Sequence, residues 1–127
     1  MSIKKILVVE DDMIIQMFLS KIINNAGFTV VGEARNYIEI LELVDRTQPD
    51  LIVMDIGLEG EKDGIETAHI LNKKYNIPIL FITGNSDKVT RDRANEVHPI
   101  GIIFKPIDEN SLVHTLVRIN REQSKDT

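Results

Sequence analysis

Three acidic residues in succession, Glu10, Asp11 and Asp12, directly follow the apolar run KILVV, Lys5 to Val9. Adjacent carboxylates behind a buried segment repel one another and lose hydration, so they call for a neighbouring cation or a raised pKa. Asp12 is explained as a helix N-cap, since Asp accepts backbone N–H bonds there and helix starts favour negative charge. Glu10 and Asp11 exceed what one cap requires. Later apolar runs close on Asp55, Thr83 and Lys105 in turn. Asp11 and Asp55, with Glu10 acting through water, are hard oxygen donors suited to Mg²⁺, which keeps several waters and shares its other positions with phosphate. A carboxylate such as Asp55 can serve as the nucleophile that takes a phosphoryl group, giving an aspartyl phosphate. The metal, the Lys105 ammonium and the Thr83 hydroxyl would then stabilise charge on the phosphoryl oxygens.

These residues can meet only if the fold brings the ends of several strands to one edge. The apolar pattern provides for that. Short continuous runs, Lys5 to Val9, Thr29 to Ala34, Leu51 to Asp55, Ile77 to Thr83 and Ile100 to Lys105, alternate with stretches of helical spacing. Continuous runs suit strands covered on both faces, and the alternation predicts a parallel α/β sheet. Helices are predicted over residues 12–25, with Ile15, Phe18, Leu19, Ile22 and Ile23 as the apolar stripe, and 36–46, with Ile38, Leu41 and Val44. The others are expected over 63–75, 86–97 and 108–123, with Asn36 and Asp63 as caps. In open parallel sheets ligands sit beyond the carboxyl ends of the strands, where Glu10, Asp11, Asp55, Thr83 and Lys105 fall.

The 127 residues suffice for one domain, with a core over about 4–121 and a frayed tail, QSKDT. A formal net charge of −5 and the lack of a basic stripe with interleaved aromatics argue against direct nucleic-acid binding. Zero cysteines exclude disulfides and thiolate metal sites. With no signal-like or long apolar run, the expectation is a cytoplasmic chain without membrane contact. His69, His98 and His114 are scattered, without metal-site spacing or a relay partner, and are read as surface or half-buried residues.

Taken in order, LVVEDD, LIVMDIGLEGEKDGIE, FITG and IIFKPI resemble the receiver domain of two-component response regulators, the CheY-like family, over essentially the whole chain. The resemblance implies a doubly wound five-stranded parallel sheet in flavodoxin-like order 2-1-3-4-5 with five surrounding helices. It also implies that Asp55 is the phosphoacceptor and that Glu10, Asp11, Asp55 and the backbone carbonyl of Gly57 hold Mg²⁺ or Mn²⁺. Thr83 would be the phosphate-sensing hydroxyl, Lys105 the phosphate-pairing cation, and Lys105–Pro106 a cis peptide. The implied partners are a sensor histidine kinase or histidine phosphotransfer protein and an output partner or fused domain, with the chain a monomer or weak homodimer. Its role would be that of a regulatory phosphoacceptor, not an enzyme with turnover on other substrates, either standing alone or as part of a longer protein.

The chain departs from the family pattern in places. Ile102 stands three residues before Lys105, where an aromatic switch residue is usual; Gly84 follows Thr83, and Gly57 and Asn85 occupy the positions that tune phosphoryl lifetime. Ile102 supports an alternative, a pseudo-receiver that signals through protein contacts without phosphorylation; intact Asp55, Thr83 and Lys105 count against it. An aspartyl hydrolase would want a second carboxylate where Gly57 stands. A nucleotide- or flavin-binding domain would want a Gly-rich or hydroxyl-rich phosphate loop where EDDM stands. Met13, Ile14 and Met17 widen the apolar face of the first helix. The expected reason is deeper burial of that helix, the alternative a docking face for the kinase or phosphotransfer partner, and exposure of Met13 and Met17 decides between them. The fourth helix, thinly apolar with Val89, Ala94 and Val97, reads as a mobile element of the output face.

Overall fold

The computed structural model describes residues 2–125. Its elements are β1 (Lys5–Val9), α1 (Met13–Asn25), β2 (Thr29–Ala34), α2 (Tyr37–Thr47), β3 (Leu51–Asp55), α3 (Gly64–Lys74), β4 (Ile79–Thr83), α4 (Lys88–Asn95), β5 (Gly101–Phe104) and α5 (Glu109–Lys125). The five strands form one parallel sheet in the order β2-β1-β3-β4-β5. This is the doubly wound arrangement that the alternation of short apolar runs with helices requires.

Alternation along each strand divides the core into two layers. Leu7, Ile52, Met54 and Phe81 point to the side covered by α2, α3 and α4, while Ile6, Val53, Leu80 and Ile82 point to the side covered by α1 and α5. The central strands β3 and β4 are buried at every position, which is why they read as unbroken apolar runs. The helices begin on side-chain caps, each satisfying backbone donors that the first turn leaves open. Asp12 accepts from Ile14 N at 2.9 Å and Ile15 N at 3.2 Å. Asn36, Asp63 and Asp87 cap α2, α3 and α4, and Asp63 and Glu66 form a reciprocal capping box.

Several expectations shift. β4 begins at Ile79, because Pro78 has no N–H to give and contributes only its carbonyl, which accepts from Ile52 N. α4 begins at Lys88 because Asp87 is its cap and is itself held by Asn85 Oδ1. The last helix continues to Lys125, so Gln123, Ser124 and Lys125 of the expected frayed tail are helical; Asp126 and Thr127 lie outside the described residues.

The burial of α1 differs more. Leu19, Ile22 and Ile23 reach the core and Ile15 packs partly against it, but Phe18 is exposed, and so are Met13, Ile14 and Met17 at 59%, 80% and 64%. The helix is therefore not sunk more deeply; its extra apolar residues face outward. Gln16 shares the inward face with Leu19, Ile22 and Ile23, its buried amide donating to the Glu10 carbonyl at 3.0 Å and the Ala34 carbonyl at 3.3 Å. In α2, Ile40 and Val44 are buried and Ile38 is exposed. In α4, Val89 is exposed, and the helix is anchored by Ala94, with Val97 just beyond it.

Candidate functional site

The carboxyl ends of the strands converge as the parallel topology dictates. Glu10 and Asp11 follow β1, Asp55 ends β3, Thr83 ends β4, and Lys105 stands one residue past β5. Glu10, Asp11 and Asp55 each present a carboxylate oxygen within 4.8 Å of the others. The Lys105 ammonium donates to Glu10 Oε1 at 2.8 Å and to Asp55 Oδ2 at 3.2 Å.

Each acid is oriented by backbone. Asp55 Oδ1 accepts from Gly57 N at 3.0 Å, Asp11 Oδ2 from Glu59 N at 3.1 Å, and Glu10 Oε2 from Asp11 N at 3.0 Å. The loop after β3 thus wraps the cluster, and α3 must start close under it. Gly64 allows this: a methyl group at that position would collide with the carbonyl oxygen of Asp55 and stand 2.8 Å from Ile56 Cα. A Cβ on Gly57 would lie 3.7 Å from Asp55 Oδ1, so position 57 borders the Asp55 carboxylate without covering it.

Electrostatics follow from burial. Glu10 is 1% exposed. Desolvation, followed by the neighbouring Asp55, raises its pKa from 4.5 to about 7 against the opposing pull of Lys105. Burial alone would lower the Lys105 pKa, but its bonds to Glu10 and Asp55 outweigh this and hold it above the usual lysine value. The acidic triplet is therefore eased in two ways: Lys105 bridges two of the acids, and Glu10 carries its proton up to near-neutral pH. A cluster of hard oxygens whose remaining member, Asp11, is half-open to solvent is a donor set that fits Mg²⁺.

Thr83 is buried beside this group, but its hydroxyl serves its own loop, accepting from Asn85 N at 3.0 Å. The Gly84 backbone lies against the Lys105 stem, with a notional Cβ 3.9 Å from Cδ. The Lys105–Pro106 peptide is cis. Ile102 packs partly buried against the α4 side of the core. His69, His98 and His114 are exposed, and none belongs to the acidic cluster. Sequence reasoning missed two supports, Gln16 and the steric demand at Gly64. Gln16 left a signal as a polar residue at core spacing with Leu19 and Ile23; Gly64 left only a Gly behind a capping Asp.

The family model for the response regulator receiver domain matches residues 6–117. The chain belongs to this family. Curated relatives of this receiver domain include the transcriptional regulatory protein PdtaR of Mycobacterium tuberculosis, 30% identical over 87% of the chain and 53% of that protein. Another is the transcriptional regulatory protein BtsR of Escherichia coli, 30% identical over 95% of the chain and 50% of that protein. The receiver domain thus spans about half the length of these curated relatives. Among solved structures it is similar to the signal receiver domain of a modulated diguanylate cyclase from Desulfovibrio desulfuricans, with a TM-score of 0.85, 32% identity and 97% of each chain covered. A CheY-like receiver from Methanospirillum hungatei, 23% identical with a TM-score of 0.87 over 99% of this chain and all of that one, shares the fold. Among the described residues no helix is long and apolar enough to cross a membrane.

Proposed function

We propose that this receiver domain accepts a phosphoryl group on Asp55 from the phosphohistidine of a sensor histidine kinase or histidine phosphotransfer protein, and that phosphorylation changes its affinity for an output partner in the cytoplasm. The observation that carries the reading is Asp55 itself, with one oxygen fixed by Gly57 N, the other by Lys105, in a cluster of acids at the sheet edge. In the transfer step a carboxylate oxygen of Asp55 bonds to phosphorus while the bond from phosphorus to the donor imidazole nitrogen breaks, and the imidazole takes up a proton. Lys105, already on Asp55, pairs with a phosphoryl oxygen as the negative charge arrives. Glu10, Asp11, Asp55 and the carbonyl of Gly57 would hold Mg²⁺ or Mn²⁺, which when bound neutralises charge on the phosphoryl oxygens.

Thr83 links the site to the output face. Its hydroxyl would leave Asn85 and turn to the phosphoryl group, drawing the loop that leads into α4. With Ile102 where an aromatic switch would stand, the shift of this loop and of α4 carries the signal. The exposed start of α1 supports docking of the phosphodonor, since a donor that brings its histidine to Asp55 must also cover the ground beside Asp11. The domain is a regulatory phosphoacceptor and not an enzyme acting on further substrates.

The test is intact mass after incubation with acetyl phosphate, with and without Mg²⁺, on wild type and Asp55→Asn. A single Mg²⁺-dependent phosphoryl adduct absent from the variant is expected. An adduct of equal yield in Asp55→Asn refutes the acceptor assignment, and no adduct with any donor makes the chain a phosphorylation-independent interaction module.

A further inference from the structure

We propose that Met13 and Met17 are a peroxide-sensitive pair whose oxidation turns the apolar start of α1 polar and blocks docking of the phosphodonor, while leaving the phosphoacceptor chemistry intact. The inference rests on the docking face proposed above. The chain has four methionines and no cysteine, so thioethers are its only sulfur groups. Met13 and Met17 are spaced by four residues, which puts both on one side of the helix, and both are more than half exposed next to Ile14 and Phe18. Met54 is fully buried in β3 immediately before Asp55. Met1 lies outside the described residues.

Exposure therefore separates a reachable pair from a shielded methionine beside the acceptor. The buried face of α1, formed by Gln16, Leu19, Ile22 and Ile23, contains neither Met13 nor Met17, so a change at their sulfurs leaves the helix anchored. In the reaction the thioether sulfur attacks one oxygen of hydrogen peroxide; an S–O bond forms and the O–O bond breaks. The departing hydroxide takes the proton from the new S–OH group and leaves as water. Sulfur is oxidised and peroxide reduced, by two electrons each, and a flexible apolar side chain becomes a polar sulfoxide. Since Met13 stands two residues from Asp11, the altered patch adjoins the ground that a donor must cover to reach Asp55.

The test treats the full chain with hydrogen peroxide and locates added oxygen by peptide mass spectrometry. Two functions are then measured before and after treatment: labelling by acetyl phosphate, and calorimetric binding of an unphosphorylated histidine phosphotransfer bundle chosen because it binds the untreated protein. Oxygen is expected on Met13 and Met17 and not on Met54, with labelling retained and bundle affinity reduced by about tenfold or more, as when polar groups are pressed without partners into an apolar contact. In the Met13→Leu, Met17→Leu double variant the ratio of affinity after to before peroxide should stay near one, whatever its starting affinity. Methionine sulfoxide reductase should restore wild-type binding. Unchanged affinity of the doubly oxidised protein, equal oxidation of Met54, or an equal loss in the double variant overturns the proposal. A protein labelled by acetyl phosphate that binds no such bundle overturns it together with the docking face. Failure of labelling before any peroxide is instead a failure of the Asp55 reading, and the binding arm still reports on the methionines.

Discussion

Replacing Glu10 by Gln should change how stability depends on pH more than it changes stability at any one pH. In the folded chain Glu10 keeps its proton up to about pH 7, whereas its ordinary value is 4.5. Between these limits the folded state binds more protons than the unfolded state, so raising the pH through the window lowers stability. At roughly 1.4 kcal/mol per pH unit, the interval amounts to about 3 kcal/mol lost by the wild type between about pH 4.5 and pH 8 in the absence of divalent cations. The amide introduced by Glu10→Gln cannot ionise, so the variant escapes this slope. It loses the charge-assisted bond that Lys105 gives Glu10 Oε1, although Lys105 keeps Asp55 as its partner. Glu39 and Asp87, whose pKa values are lowered by the hydrogen bonds they accept, contribute the opposite slope at lower pH, equally in both proteins. Urea unfolding at a series of pH values with a chelator present measures the effect. The wild-type midpoint should fall by roughly 1 to 2 M relative to the variant across the window, for a typical dependence on urea in a domain of this size. Parallel pH profiles, or a wild type that gains on the variant as pH rises, would show that Glu10 is not held protonated by its burial.

The same proton bears on the metal. If Glu10 is a ligand of Mg²⁺, affinity measured by calorimetry should rise as pH passes through about 7 and then level off, because a protonated carboxyl is a poor ligand; Glu10→Gln should bind more weakly and with a flatter profile. Asp11→Ala should also weaken Mg²⁺ binding and free Glu59 N, and an unchanged affinity would place the metal elsewhere. Gly64→Ala should lower stability by about 1 to 3 kcal/mol, because the added methyl meets backbone and not a flexible side chain; an unaltered thermal midpoint would mean that α3 shifts freely away from Asp55. Phosphorylation should alter amide exchange in Lys88–Asn95, the helix anchored by Ala94, and unchanged protection there would remove α4 from the signalling route.

The strands were legible because burial on both faces favours apolar residues at successive positions: LIVM and ILFI stand in the sequence as apolar runs, each closed by one polar residue, Asp55 or Thr83. The location of Glu10, Asp11, Asp55, Thr83 and Lys105 at one edge followed from the same runs, since parallel strands all end on the same side. Orientation was less legible. Periodicity alone assigned Phe18 and Ile38 to the core, yet both are exposed, because a helix is rotated by the sum of its tertiary contacts, including the buried amide of Gln16. Thr83 could be placed, but the direction of its hydroxyl could not, since that depends on the loop through Asn85. The close approach that excludes a side chain at Gly64 involves backbone atoms eight and nine residues away, which no local pattern records.

The bond between Lys105 and Glu10 joins residues 95 positions apart, and β5, which delivers the lysine, lies at an edge of the sheet. β1 and β3, which carry Glu10 and Asp55, pair with each other at the centre of the sheet and not with β5. The cation that bridges Glu10 and Asp55 thus hangs on an edge strand, so local fraying of β5 would part Lys105 from both acids while leaving the β1–β3 pairing that holds them together.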